Sequence, residues 1–340
     1  MLQESIIEAL KNPEAYDEEV NYIRLLQTHI SYIFLTGRYA YKIKKPVNLG
    51  FLDFTTLEKR RFYCEEELRL NRRLCGDMYI GVLPITISGD SVKINGSGKI
   101  VEYAVKMKEL PQESLMSEML RKGKIDVYVM DKIARILADF HNKAETNSEI
   151  ERYGSIDIVK FNWNENFEQT REFIGRTIKD REYTFIYRMV QRFLNDRKDL
   201  FKMRRRNGRI RECHGDLHSG NIFIADRIYI YDAIEFNKRF RYCDVASDIA
   251  FLVMDLEFLS RKNLSNYFLE RYIEYSNEDE SFLKILPFYK CYRAYVRGKV
   301  TSFKLNDPNI RGEEKEASKS IAEKYFKMSR EYAEQMFKPQ

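Results

Sequence analysis

The chain has 340 residues, with 58 Lys and Arg against 52 Asp and Glu and a formal net charge of +6. That length suits one large or two medium domains, and 22 Phe with 23 Tyr are enough to fill a substantial core. A mild positive balance with only Arg204-Arg205-Arg206 concentrated argues against a dedicated nucleic-acid binder; followed by Asn207-Gly208, the triplet reads as a solvated helix end.

The N-terminal MLQESIIEALKNPEAY carries acidic residues where a secretion leader needs a basic start, and it reads as a short amphipathic helix. Tyr32-Ile33-Phe34-Leu35, the turn Thr36-Gly37-Arg38 and the alternating Tyr39–Lys44 spell a hairpin. Leu57–Leu74 has no Gly or Pro and spaces its apolar residues as a helix does. Val82–Ile87, Ser91–Ile94 and Ile100–Met107 are further strands. Beyond Pro111 the character changes to helices over Met116–Lys122, Val127–Ala144, Asn164–Thr177 and Glu182–Met203. One β hairpin, Asn221–Ile224 and Ile228–Tyr231, interrupts them. Helices resume over Asp244–Phe258, Leu264–Tyr275, Phe282–Phe303 and Gly312–Met336. The most apolar stretch, Val245–Leu259, is broken by Asp248, Asp255 and Glu257, so no membrane span is expected.

The plan is α+β and bilobal. A small N-terminal lobe of antiparallel sheet plus helix covers residues 1–110. A larger, mostly helical lobe covers 111–340, and a linker near 108–113 places a ligand cleft beside it.

Between the helices stands Glu212-Cys213-His214-Gly215-Asp216-Leu217-His218-Ser219-Gly220-Asn221. Phosphoryl transfer asks for a carboxylate to orient a hydroxyl, oxygen ligands for magnesium, and a lysine on the phosphates with a partner to aim it. Asp216, in a Gly-flanked loop before a strand, suits the first task. Asn221 and, at the exit of the following hairpin, Asp232 offer the oxygen donors that magnesium takes.

His214-Gly215-Asp216 with Asn221 resembles the HGDxxxxN loop of the aminoglycoside phosphotransferase family, relatives of the protein kinases and choline kinases. The resemblance implies a protein-kinase-like fold, with Asp216 as catalytic base, Asn221 and Asp232 as metal ligands, and Asp248 as a brace for the loop. Tyr39-Ala40-Tyr41-Lys42 resembles the VAIK strand, which assigns the phosphate-contacting lysine to Lys42, with Lys44 the alternative two residues on. Its partner comes from Glu65-Glu66-Glu67, and Glu67 fits best. The phosphate-covering stretch Gln27–Ser31 lacks the kinase glycines, leaving Ser31 as a candidate contact; His29 reads as a packed residue or as a loop histidine near nucleotide. Lys108-Glu109-Leu110 is the expected hinge, its backbone reading the adenine edge.

Longer stretches, among them Tyr41–Phe54 and Arg241–Ala250, resemble a group of uncharacterised bacterial phosphotransferase-like proteins, some carrying an added P-loop ATPase domain. No GxxxxGK[ST] occurs in this sequence, so it reads as the stand-alone form. The likeness runs from about residue 20 to about 300.

The implied activity is an ATP- or GTP-dependent, magnesium-dependent kinase acting on a hydroxyl of a small molecule. A protein kinase or an AMP-transferring enzyme of the same fold, and a nucleotide-binding regulator without catalysis, are the alternatives. Only eleven residues separate Asp232 from Asp244, too few for a long peptide-docking segment.

Other residues read more plainly. His214 and His218 orient the loop, and His141 packs within its helix. Asp53 reads as a substrate contact or as the cap of the helix that begins near Thr55, and capping fits better. Cys64, Cys75, Cys213, Cys243 and Cys291 form no CxxC pair, and their odd number reads as reduced thiols in a cytoplasmic protein.

Overall fold

A computed structural model describes residues 2–338. The chain divides into two compact units, Met1–Met119 with Gly220–Lys238, and Leu120–Ser219 with Arg239–Gln340.

The elements run α1 (Leu2–Ala9), β1 (Arg24–Gln27), β2 (Ser31–Leu35), β3 (Tyr39–Lys44), α2 (Leu57–Cys75), β4 (Tyr79–Ser88), β5 (Ser91–Ile94), β6 (Lys99–Lys108) and α3 (Met116–Arg121). They continue as α4 (Val127–Lys143), α5 (Ser148–Arg152), α6 (Ile156–Thr170), α7 (Asp180–Asp196), α8 (Lys198–Arg206) and β7 (Ile210–Glu212). Then come β8 (Ile222–Ile224), β9 (Ile228–Ile230), α9 (Lys238–Arg241), β10 (Tyr242–Asp244), α10 (Val245–Phe258), α11 (Lys262–Ser276), α12 (Glu280–Phe303) and α13 (Gly312–Gln335). The α+β class is as the sequence pattern implied.

In the first unit the six-stranded antiparallel sheet has the order β1-β2-β3-β6-β4-β5. Period-2 alternation decides what each face of β3 does. Tyr41 and Ile43 join the core cluster that holds Ile6 and Ile7 of α1 and Leu10 just after it. Ala40 turns the other way, into the cluster with Cys64 and Cys75 of α2, and the same alternation sends Lys42 and Lys44 to the α2 side. Helix α2 starts where the Thr56 hydroxyl accepts the Lys59 amide at 3.2 Å, a side-chain cap for an otherwise orphaned donor. The cap is therefore Thr56 and not Asp53, which instead accepts the Thr55 amide at 3.0 Å and pairs with Lys59. The hairpin of β8 and β9 adds Phe223 and Tyr229 to the α2-side cluster.

The second unit is built around α10, whose residues Val245–Leu256 are all buried. It packs against α11 and α12, while α4 lies on α11 and α13 on α12. Trp163 of α6 is fully buried, stacked on Phe167 at 5.2 Å between ring centroids.

Several details differ from the sequence pattern. The helix expected over Asn164–Thr177 is α6, which starts at Ile156 under a Ser155 cap and ends by Thr170. The single helix expected over Glu182–Met203 is broken at Arg197, whose backbone (φ −113°, ψ 25°) leaves the helical region. Strands β7 and β10, three residues each and paired antiparallel, carried no periodic signal. Arg204 is not a solvated residue: it is fully buried and grips Asp244 through two bonds of 2.9 and 2.6 Å. All five cysteines are free thiols. Among the described residues no helix is long and apolar enough to cross a membrane.

Candidate functional site

Within the first unit, two lysines of β3 meet three carboxylates. Lys42 Nζ lies 2.8 Å from Glu67 Oε1 and 2.6 Å from Asp232 Oδ1. Lys44 Nζ lies 2.7 Å from Glu67 Oε2 and also holds Glu235. The two lysines thus share one carboxylate, so the sequence alternatives are not exclusive: both pair with Glu67. Glu65 and Glu66 face outward to Arg61 and Arg69 at 2.9 Å each.

Burial alone would push Glu67 up and both lysines down. The mutual charges more than offset it, drawing Glu67 down to about 2 and raising Lys42 and Lys44 above the ordinary lysine value. Burial pushes Glu235 up, and Lys44 offsets this only in part. All of these contacts fall on the α2 side of the sheet, where the alternation of β3 sends Lys42 and Lys44.

Asp232 stands at φ 63°, in the left-handed region that side chains other than Gly rarely adopt. The next amide, on Ala233, donates to Asn71 Oδ1 of α2 at 2.9 Å. Asn221 faces Tyr231, the residue before Asp232, across the β8–β9 hairpin, where the Tyr231 amide donates to the Asn221 carbonyl at 3.0 Å. One neutral amide oxygen and one partly exposed carboxylate are the hard oxygen donors magnesium prefers, so this pair fits that ion.

Ser31 starts β2 opposite Lys44, and its buried hydroxyl meets no hydrogen-bond partner among the described residues. His29 is exposed at the tip of the β1–β2 hairpin and does not pack. At the end of β6, Lys108 pairs with Asp77, and Glu109 accepts the Gly37 amide at 2.8 Å and the Tyr22 hydroxyl. The Glu109 amide itself donates to the Arg38 carbonyl at 3.0 Å, so that donor is already occupied. Leu110 packs against the α2-side cluster.

Within the second unit, Asp216 sits on a loop tied to α10. Asp248 accepts the His214 and Gly215 amides, each at 2.9 Å, and lies 3.2 Å from His141 Nε2. The other nitrogen of His141 meets the Tyr272 hydroxyl at 2.8 Å. Arg293 of α12 donates to the Gly215 carbonyl at 2.9 Å, and Asp255 accepts the Ser219 amide at 2.8 Å. Gly215 has φ 88°, and a Cβ there would lie 3.0 Å from the Phe240 carbonyl oxygen. A glycine is required at that point.

His218 Nε2 approaches Asp216 at 3.5 Å. Burial would raise the Asp216 carboxyl, but His218 and Arg297 outweigh it and hold it well below the usual range. It is ionised at neutral pH. The residues that sequence reasoning did not place here are Lys44 as a co-owner of Glu67, Glu235, Asn71, His141, Arg293 and Asp255. Each is identified by a long-range contact.

No family model matches the chain. It is 35% identical over 280 residues to an uncharacterized protein of Mycobacterium tuberculosis (strain ATCC 25618 / H37Rv), a match covering 82% of this chain and 54% of that one. The chain thus spans about half the length of the curated relatives it matches. Among solved structures it is similar to the GDP complex of wild-type aminoglycoside 2'-phosphotransferase-IIIa, with a TM-score of 0.53, 13% identity, and 96% of this chain and 98% of that one covered. It is also similar to amicoumacin kinase hAmiN in complex with AMP-PNP, Ca2+ and Ami, with a TM-score of 0.51, 13% identity, and 96% and 93% covered. The fold is the protein-kinase-like fold of these phosphotransferases.

Proposed function

We propose that this chain is a phosphotransferase that moves the γ-phosphoryl group of ATP or GTP to a hydroxyl of a small molecule. The observation that carries this reading is the buried pairing of Lys42 with Glu67 and Asp232. Lys42, aimed by Glu67, neutralises the nucleotide phosphates. Ser31, whose hydroxyl meets no hydrogen-bond partner among the described residues, is a further phosphate contact, and the 108–110 backbone, less the occupied Glu109 amide, reads the base.

Asn221 and Asp232 hold magnesium, which when bound offsets negative charge on the transferring group. Asp216, kept ionised, accepts the hydrogen bond of the acceptor hydroxyl and aligns it for in-line attack. Residues 1–110 serve the nucleotide, joined by the segment that carries Asn221 and Asp232; residues 111–340 supply the catalytic loop and the acceptor pocket.

A small acceptor is supported by the short span from Asp232 to Asp244, much of it taken up by α9 and β10. It is supported also by the neighbours, an aminoglycoside phosphotransferase and an amicoumacin kinase. The test is a thermal-shift titration with ATP and GTP, with and without magnesium, on the wild type and Asp232→Ala. A ligand selective for the folded state raises the melting temperature by mass action. Magnesium-dependent stabilisation that the variant loses supports the reading. No shift at millimolar nucleotide overturns it.

A further inference from the structure

Beyond the lysine and metal ligands of the proposed reaction, the cluster contains a further ion pair, Lys44 with Glu235, whose side chains are only 1% and 4% exposed. Lys42 already gives Glu67 a partner at 2.8 Å, so Lys44 is not needed to neutralise that carboxylate. A buried ion pair is weak evidence for stability, since apolar replacements of similar volume are often as stable. Its location says more. Glu235 follows Asp232 by three residues, and Lys44 follows Lys42 by two.

The peptide between Asp232 and Glu235 is held at both ends. At one end Ala233 donates to Asn71, whose own amide group donates to the Glu67 carbonyl at 2.8 Å. At the other, Glu235 is gripped by Lys44 from β3. What lies at the start of this tethered peptide is Asp232 in the left-handed region, a conformation uncommon for residues other than glycine, asparagine and aspartate. Among these five side chains, two lysines face three carboxylates, leaving one negative charge in excess. Glu67 and Glu235 are buried, whereas the Asp232 side chain is 42% exposed. The excess therefore faces outward at the one carboxylate open to a cation.

We infer that the Lys44–Glu235 pair is a clamp that fixes the backbone of Asp232, and that Glu235 is a positioning residue for the metal site. The inference rests on the metal role given to Asp232 above, and two readouts separate the two claims. The first needs no ligand: amide hydrogen exchange of the 230–236 segment in wild type and Glu235→Gln. The clamp requires exchange at least about 10-fold faster in the variant, with α1 and β5 unchanged. The second is the magnesium concentration that half-saturates nucleotide-dependent thermal stabilisation, which rises at least about 5-fold in the variant.

Glu235→Gln leaves Lys44 with one partner fewer, so the paired change Lys44→Met/Glu235→Met, which leaves no lone buried charge from this pair, is measured beside it. The same two changes are expected. A lower melting temperature with wild-type exchange in the segment and a wild-type magnesium requirement makes the pair merely structural and overturns the clamp. Faster exchange in a protein whose wild type shows no magnesium-dependent nucleotide binding supports the clamp and overturns the metal role of Asp232 instead.

Discussion

The Gly215 amide donates to Asp248 Oδ1 at 2.9 Å across 33 positions of sequence. Because the other oxygen takes the His214 amide, also at 2.9 Å, one carboxylate on a buried helix fixes two consecutive peptides ahead of Asp216. Burial would raise the Asp248 carboxyl, but its bond to His141 leads the contacts that bring it down to about 2. It is thus charged wherever the protein is folded at ordinary pH.

Replacing Asp248 by Ala leaves two buried amides and one imidazole without their acceptor. The expected loss is roughly 3–5 kcal/mol, the scale for removing one member of a buried charged network. Urea unfolding of the variant measures it, and a loss under about 1 kcal/mol means the loop is held mainly by Arg293 and Asp255.

Asp216→Ala is expected to lower turnover by at least ~10²-fold, the scale for a positioned general base. Nucleotide affinity stays near the wild-type value, because Asp216 takes no part in the Lys42 cluster. Equal loss of nucleotide binding contradicts the role given to it.

Gly215→Ala tests the backbone. With φ at 88° and the Phe240 carbonyl 3.0 Å from an added Cβ, the substitution costs on the order of 1–3 kcal/mol. It also displaces Asp216, so turnover falls with stability. A fully active, fully stable alanine variant shows that the loop relaxes freely.

Lys299 of α12 gives a pH signature. Burial lowers it to about 8, against the pull of Glu165, and its ammonium donates to Gln169 at 2.6 Å. In the unfolded chain a lysine titrates near ~10.4. Between those values the unfolded state binds more protons, so the stability contributed by this site rises with pH through the window, by up to about 1.4 kcal/mol per unit. Below pH ~8 the penalty for burying the charge is present in full. Subtracting the melting curve of Lys299→Met from that of the wild type between pH 7 and 10.5 isolates the effect. A flat difference shows that the ammonium is solvated.

The local elements are legible in the sequence. The HGD loop, the alternation of Tyr39–Lys44 and the glycine-free helix after Thr56 are local signals, and each lies where the pattern put it. The partners of Lys44 are of another kind. Its contact with Glu235 spans 191 positions, and nothing in the sequence around either residue encodes that distance. The same holds for His141, which reads as an ordinary packed helix residue until Asp248 arrives from α10 and Tyr272 from α11. Arg204 misled because a basic triplet is usually solvated; only the folding of Asp244 beside it gives the first arginine a buried partner. Three-residue strands such as β7 and β10 are too short to show any period.

The left-handed backbone of Asp232 also bears on how this position can vary and be tested. Asparagine is among the few other residues that tolerate this conformation at little cost. Asp232→Asn therefore removes a charge and leaves the peptide where it is, whereas Asp232→Ala removes the charge and also strains the chain. The difference in folding stability between the two variants combines the torsional cost with the loss of an acceptor for Lys42, which an asparagine side-chain oxygen retains. By the same logic, asparagine and glycine are the charge-silencing replacements that best keep this backbone.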